Sequence, residues 1–113
     1  MRDYELALGA ERDLLEVARY TLETWGPRQT DRYEAALLKH FEAIADGSAH
    51  TRRPLPLRPE LYSSRCQHHY VFSLERRAEC PLILAVLHES MDLIARLAQR
   101  LMDEGLGRKR SFE

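Results

Sequence analysis

Lysine is nearly absent from this chain. Lys39 and Lys109 are the only two in 113 residues, and 17 basic groups against 18 acidic ones leave a net charge of −1. A protein that holds ribosomal RNA or duplex DNA through its phosphates gains affinity from every phosphate it neutralises, and such chains carry a clear positive excess. Near-neutrality therefore weighs against nucleic acid as the main partner. Cysteine is equally sparse: Cys66 and Cys80 stand apart with no C-x-x-C, which predicts free thiols in a reducing cytosol. No run of 18 apolar residues occurs, and acidic residues are spread through the first 25 positions. That composition suits neither a membrane span nor a secretory or transit peptide, so a cytoplasmic protein without a membrane partner is expected. Gly-rich phosphate loops, G-x-S-x-G and a framed carboxylate pair are missing as well, which removes the common nucleotide-binding and hydrolase chemistries. No cofactor is expected.

What is present divides by charge. Positions 1–46 hold 6 basic and 10 acidic residues, and positions 47–113 hold 11 and 8, so the positive surface is local to the second half. A chain of this size forms one core and buries roughly 60–70% of its unfolded surface. A single domain over 1–107 is expected, with a flexible tail over 108–113.

Hydrophobic periodicity supplies the elements. Tyr4, Leu6 and Leu8 alternate with Glu5 and Ala7, the period of a strand. From Ala10, the positions Leu14, Leu15, Val17, Ala18, Leu22 and Trp25 predict the core face of a helix that Gly26-Pro27 stops. Tyr33, Leu37, Phe41 and Ile44 predict a second helix from about Arg28, ending near Asp46-Gly47. The short link makes the two an antiparallel hairpin. Positions 47–59, with three prolines, read as an extended surface loop. Strands are predicted over Leu61–Ser64, His69–Leu74 and Leu82–His88, forming an antiparallel meander whose last turn, Glu75–Glu79, is charged. The stripe Met91, Ile94, Leu97, Ala98 and Leu101 predicts an amphipathic helix opening directly after His88. The sum is an α+β domain with helices on one sheet face. Trp25, Tyr33, Phe41 and Met102 add apolar surface beyond what so small a domain covers, the mark of a protein interface.

His68, His69, His88, Cys66 and Cys80 could suggest zinc. Adjacent residues of a strand point to opposite faces, so His68 and His69 do not share an ion there, and no ligand pair has zinc spacing. No metal is expected.

The run Ile83-Leu84-Ala85-Val86-Leu87-His88-Glu89-Ser90-Met91-Asp92, preceded by Arg65-Cys66-Gln67-His68-His69-Tyr70-Val71-Phe72 and by Ala18-Arg19-Tyr20 through Trp25-Gly26, resembles the ParE branch of the RelE/ParE toxin superfamily. The resemblance extends over most of the chain, with Tyr4, Leu6, Ala10, Asp13 and Leu14 at its start. It departs at Gln67, where the family has glycine, and in the loop over 47–59, which lacks Pro-x-x-Gly-Arg.

The fold the resemblance implies is RelE/ParE-like: an N-terminal strand, the helical hairpin, a three-stranded meander and a C-terminal helix. The implied function is the toxin of a type II toxin–antitoxin (plasmid stabilisation) module that is not an enzyme. It would bind DNA gyrase and be neutralised by a ParD-like ribbon-helix-helix antitoxin, meeting DNA only through that antitoxin. Arg12, Arg19, Trp25 and Tyr33 are the expected antitoxin contacts. Arg65, His69, Met91, Asp92, Ile94 and Leu97 are the expected target contacts. Two other readings stay open. One is a ribosome-dependent mRNA endonuclease of the RelE branch, in which Arg65, His69 and His88 would supply the cation and the acid–base pair that 2′-OH attack needs. The other is a degenerate toxin kept as an antitoxin partner.

Overall fold

The computed structural model describes residues 3–106. Its elements are β1 (Glu5–Leu6), α1 (Leu8–Trp25), α2 (Pro27–Asp46), β2 (Leu61–Cys66), β3 (His69–Leu74), β4 (Leu82–His88) and α3 (Leu93–Asp103). The expected tail over 108–113 lies outside the described residues. The sheet runs β1-β4-β3-β2. β2, β3 and β4 form the antiparallel meander, and β1 lies parallel to β4, with Glu5 opposite Leu82 and Leu6 opposite Ile83.

Several boundaries differ from the sequence expectations. The first strand ends at Leu6, not Leu8, because the Ala7 carbonyl already accepts the Glu11 N–H at 3.0 Å and so opens α1. β2 continues to Cys66, since its ladder with β3 pairs Arg65 with Tyr70 and Cys66 with His69. The last helix does not follow His88 directly. A turn over Glu89–Asp92 intervenes, and the Asp92 side chain then caps the helix by accepting the Ala95 N–H at 3.2 Å.

The phase of α1 is the main correction. Its buried positions are Ala10, Asp13, Val17 and Thr21. Leu15, Leu22 and Trp25, expected in the core, are exposed. Two polar groups replace them inside because each has a partner: the Thr21 hydroxyl donates to the Val17 carbonyl at 2.7 Å, and Asp13 meets Arg100. The second helix keeps its expected face through Tyr33, Leu37 and Phe41, while at its end Ala45 is buried and the expected Ile44 is half-buried. Gly26, at φ 89°, makes the hairpin corner ahead of Pro27 at the first helical turn, and Gly47, at φ 84°, closes the far end in the left-handed region.

Both faces of the sheet are covered, since every β4 residue from Ile83 to Leu87 is buried. Val86 and His88 share a cleft with Asp13 and Val17 of α1, and Leu87 meets a second cleft that Leu8, Arg12 and Asp13 of α1 line together with Arg96 and Gln99 of α3. One apolar cluster joins Leu37 and Phe41 of α2, Leu61 and Val71, Ile83 and Leu84, and Leu97 of α3. No described helix is long and apolar enough to cross a membrane.

Candidate functional site at the histidine end of the sheet

Gln67 and His68 form the two-residue turn between β2 and β3. Gln67 takes φ 56°, the left-handed conformation that glycine adopts most readily. The departure in sequence therefore leaves the turn itself in place. Because His68 is in the turn and not in a strand, the opposite-faces argument made from the sequence does not hold. His69 pairs across the ladder with His88, their rings 5.1 Å apart edge to face, and the His68 ring lies 6.4 Å from His88. The three imidazoles thus cluster at one end of the sheet. Among the described residues no three His, Cys, Asp or Glu side chains are arranged to hold a metal ion.

His69 is the inner member, 9% exposed. Its Nδ1 lies 2.5 Å from the Tyr33 hydroxyl, which also reaches the Cys66 carbonyl at 3.4 Å. Burial, followed by the neighbouring His88 and His68, pushes the His69 pKa down to about 4. At neutral pH it is an uncharged anchor between α2 and β3. Burial likewise raises the Tyr33 hydroxyl and the Cys66 thiol.

The outer members are tied by Glu89. Its carboxylate takes the Arg65 guanidinium on one oxygen and His68 Nδ1, at 2.8 Å, on the other, and its N–H donates to the His68 carbonyl at 2.8 Å. The hydrogen bond from His68, then the Arg65 charge, holds the Glu89 carboxyl below its usual range. Arg65 also donates to the Gln67 carbonyl at 2.9 Å and lies over the Tyr70 ring, 5.4 Å from its centroid. His88 Nδ1 accepts the Ser90 N–H at 3.0 Å, which puts its proton on Nε2.

A cleft of about 560 Å³ opens beside this cluster, lined by Tyr20, Trp25 and Tyr33 on the helical side and by His68, His69, His88 and Glu89 on the sheet side. A second cleft of about 320 Å³ continues past Val17 and Tyr20 to Met91. Trp25 and Tyr33, expected to meet one partner, therefore share a cleft with His69, expected to meet another. Met91 sits in the adjoining cleft, Asp92 caps α3, Ile94 is exposed, and Leu97 is buried. Arg12 lies by α3 near Arg96 and Gln99, and Arg19 is exposed on α1. Tyr20 of α1 and Ser90 also line these clefts, a placement that depends on how α1 approaches β4 and that the sequence does not assign; Gln29 of α2 lines the larger one. His68 was recoverable, because the predicted strands already leave it between Ser64 and His69.

Chemically, the arrangement is a packed polar anchor beneath an aromatic-walled recess. Arg65, His69 and His88 do come together, but Arg65 is neutralised by Glu89 and His69 is held by Tyr33.

The β1-α1-α2-β2-β3-β4-α3 order with this sheet is the α+β architecture of the ParE-like toxins. A structure of the chromosomal ParDE system from P. aeruginosa superposes on it with a TM-score of 0.64, over 78% of this chain and 96% of that one, at 13% identity, which shows the likeness of fold. Residues 4–93 match the family model of the ParE toxin of the type II toxin–antitoxin system parDE. The chain is 45% identical over 101 residues to Toxin ParE of Escherichia coli, covering 89% of this chain and 98% of that protein. It belongs to the ParE toxin family.

Proposed function

We propose that this chain arrests replication by binding DNA gyrase directly, without catalysing a reaction of its own, and that a ParD-like antitoxin holds it inactive. The observation that carries this reading is the 45% identity to a ParE toxin over almost the whole of both chains. The neutral charge balance supports it, since binding to a protein needs no excess of phosphate-binding residues. The interlocked state of Arg65 and His69 supports it too, since a general base must reach the proton it abstracts.

The target-facing surface is assigned to Arg65, Met91, Asp92 and Ile94, with His69 and Leu97 supporting it from beneath. The antitoxin-facing surface is assigned to Arg12, Arg19 and Trp25, with Tyr33 as the buried support under the shared cleft.

The test is a gyrase supercoiling and cleavage assay with the purified chain, run beside cleavage of mRNA on programmed ribosomes. Inhibited supercoiling with intact mRNA is the expected result. Cut mRNA with unaffected gyrase would overturn the reading and make Arg65, His69 and His88 the residues to mutate.

A further inference from the structure

The end of the sheet opposite the histidines holds a separate polar cleft of about 240 Å³, between the last turn of α2 and Tyr62 of β2. Ser73 of β3 lines it and is only 3% exposed. Residues 69, 71 and 73 share one face of β3, the face on which His69 meets Tyr33 of α2. Among the described residues the Ser73 hydroxyl has no hydrogen-bond partner. Every wholly buried side-chain oxygen or nitrogen among them does have one, so the Ser73 oxygen opens onto the cleft. An unpartnered hydroxyl in a strand facing the core destabilises the fold, and it calls for a ligand. Thr51, half-buried in the same lining, offers a second hydroxyl without a described partner. The space exceeds by an order of magnitude the ~10–15 Å³ that one bridging water needs.

The surrounding charge selects the ligand. Glu75 and Glu79 line the cleft, and Gly47 brings in the C-terminal, negative end of the α2 dipole. The nearby cations are already engaged: Arg76 meets Glu5 at 2.7 Å, Glu79 at 3.4 Å and the Cys80 carbonyl at 2.7 Å, and Arg53 donates to the Tyr62 hydroxyl at 2.9 Å. Glu5, Glu75 and Glu79 thus outnumber Arg53 and Arg76, which repels an anion. We infer that this cleft binds a primary alkylammonium group. Its three N–H donors equal in number the acceptors on offer, the Ser73 and Thr51 hydroxyls and the Glu75 carboxylate, of which Tyr62 takes one oxygen at 2.9 Å. Ile44, Ala45 and Pro81 supply an apolar wall for the methylene chain. The inference stands apart from the gyrase reading and uses none of its residues.

The test titrates the full chain with n-butylamine, with its neutral counterpart n-butanol and with a lysine blocked at both backbone ends, read by amide chemical shifts and calorimetry. Butylamine should bind saturably and shift Thr51, Ser73 and Glu75, while butanol should not. Ser73→Ala and Glu75→Gln should each weaken the amine at least ~10-fold, since a hydrogen bond to a charged group is lost in either case. The free Ser73→Ala chain should melt no lower than the parent, because the hydroxyl it loses has no partner to give up. Tighter binding of the blocked lysine than of butylamine would identify a protein side chain as the source of the same group, and the reverse would identify a free amine. No saturable binding of either amine, equal binding of butanol, or full binding by Ser73→Ala would overturn the inference. A lower melting temperature for free Ser73→Ala would overturn it too, since the hydroxyl would then be held by water alone.

Discussion

Asp13 and Arg100, 87 positions apart, together take the place of a missing strand at the edge of β4. β1 stops pairing at Ile83, and the β3–β4 register slips there, with Phe72 opposite Ala85 and Ser73 opposite Ile83. Beyond that point the Val86 N–H and the Leu84 carbonyl look outward. The Asp13 carboxylate accepts the first at 2.8 Å, and the Arg100 guanidinium donates to the second at 3.0 Å. The two side chains meet each other through two further contacts of 2.8 Å. The pair thus joins α1, β4 and α3 while satisfying backbone groups that would otherwise be buried without partners.

Asp13→Ala or Arg100→Ala should therefore cost about 3–5 kcal/mol, the scale for breaking a buried pair. A simple ion pair could be exchanged for an apolar pair at little cost, but here Asp13→Leu with Arg100→Met should stay destabilised by about 1–3 kcal/mol, because Val86 and Leu84 lose their partners. Denaturant melts of both singles and the double variant give the comparison. A double variant as stable as the parent would show that the backbone contacts are immaterial.

Gly9 lies against that guanidinium: a Cβ there would come within 2.6 Å of Arg100 Nε, and the Gly9 N–H donates to Glu104 at 3.0 Å. Arg100 cannot swing away without leaving Asp13, so Gly9→Ala should cost about 1–3 kcal/mol as overpacking. In an Arg100→Ala background the obstruction is gone, and the same change should stabilise by up to ~1 kcal/mol through helix propensity. The reversal of sign is read from thermal melts of the four proteins.

These same residues show what the sequence conceals. β3 and β4 were legible to the residue, because apolar runs flanked by charged turns specify them, and α2 was legible because Tyr33, Leu37 and Phe41 are both periodic and buried. The phase of α1 was not: Leu14, Leu15, Leu22 and Trp25 outweigh Asp13 and Thr21 on any hydrophobic scale, and only the arrival of Arg100 makes a carboxylate the better core residue. Arg65, His69 and His88 were found as a group. Their state was not, because the Glu89 and Tyr33 contacts join segments 24 and 36 positions apart.

The Gln67 turn gives a local prediction. A non-glycine residue at φ 56° pays about 1–2 kcal/mol for the left-handed region, while glycine loses roughly 0.5–1 kcal/mol more chain entropy on folding. Gln67→Gly should accordingly stabilise by up to ~1 kcal/mol, and Gln67→Val should destabilise. The Arg65 contact uses the backbone carbonyl of residue 67 and survives either change. Equal melting temperatures for the glycine and valine variants would show that the turn does not hold this conformation in solution.

His69 makes stability depend on pH in a definite direction. Its folded pKa, about 4, lies below the ordinary histidine value of 6.5. Between those two values the unfolded chain binds the proton more readily than the folded one, so its contribution is complete above pH 6.5 and is lost as the pH falls toward 4. The loss is on the order of 3 kcal/mol for this group alone. Glu89, whose carboxyl is depressed by His68 and Arg65, adds a loss in the same direction at lower pH. His69→Phe removes the titrating ring and should flatten the pH 4–6.5 part of the profile. It also leaves the Tyr33 hydroxyl with only the 3.4 Å contact to the Cys66 carbonyl, which lowers stability at pH 7 by about 1 kcal/mol. Melts of parent and variant from pH 4 to 8 measure both effects, and a variant curve parallel to the parent's would mean that the proton is taken up elsewhere.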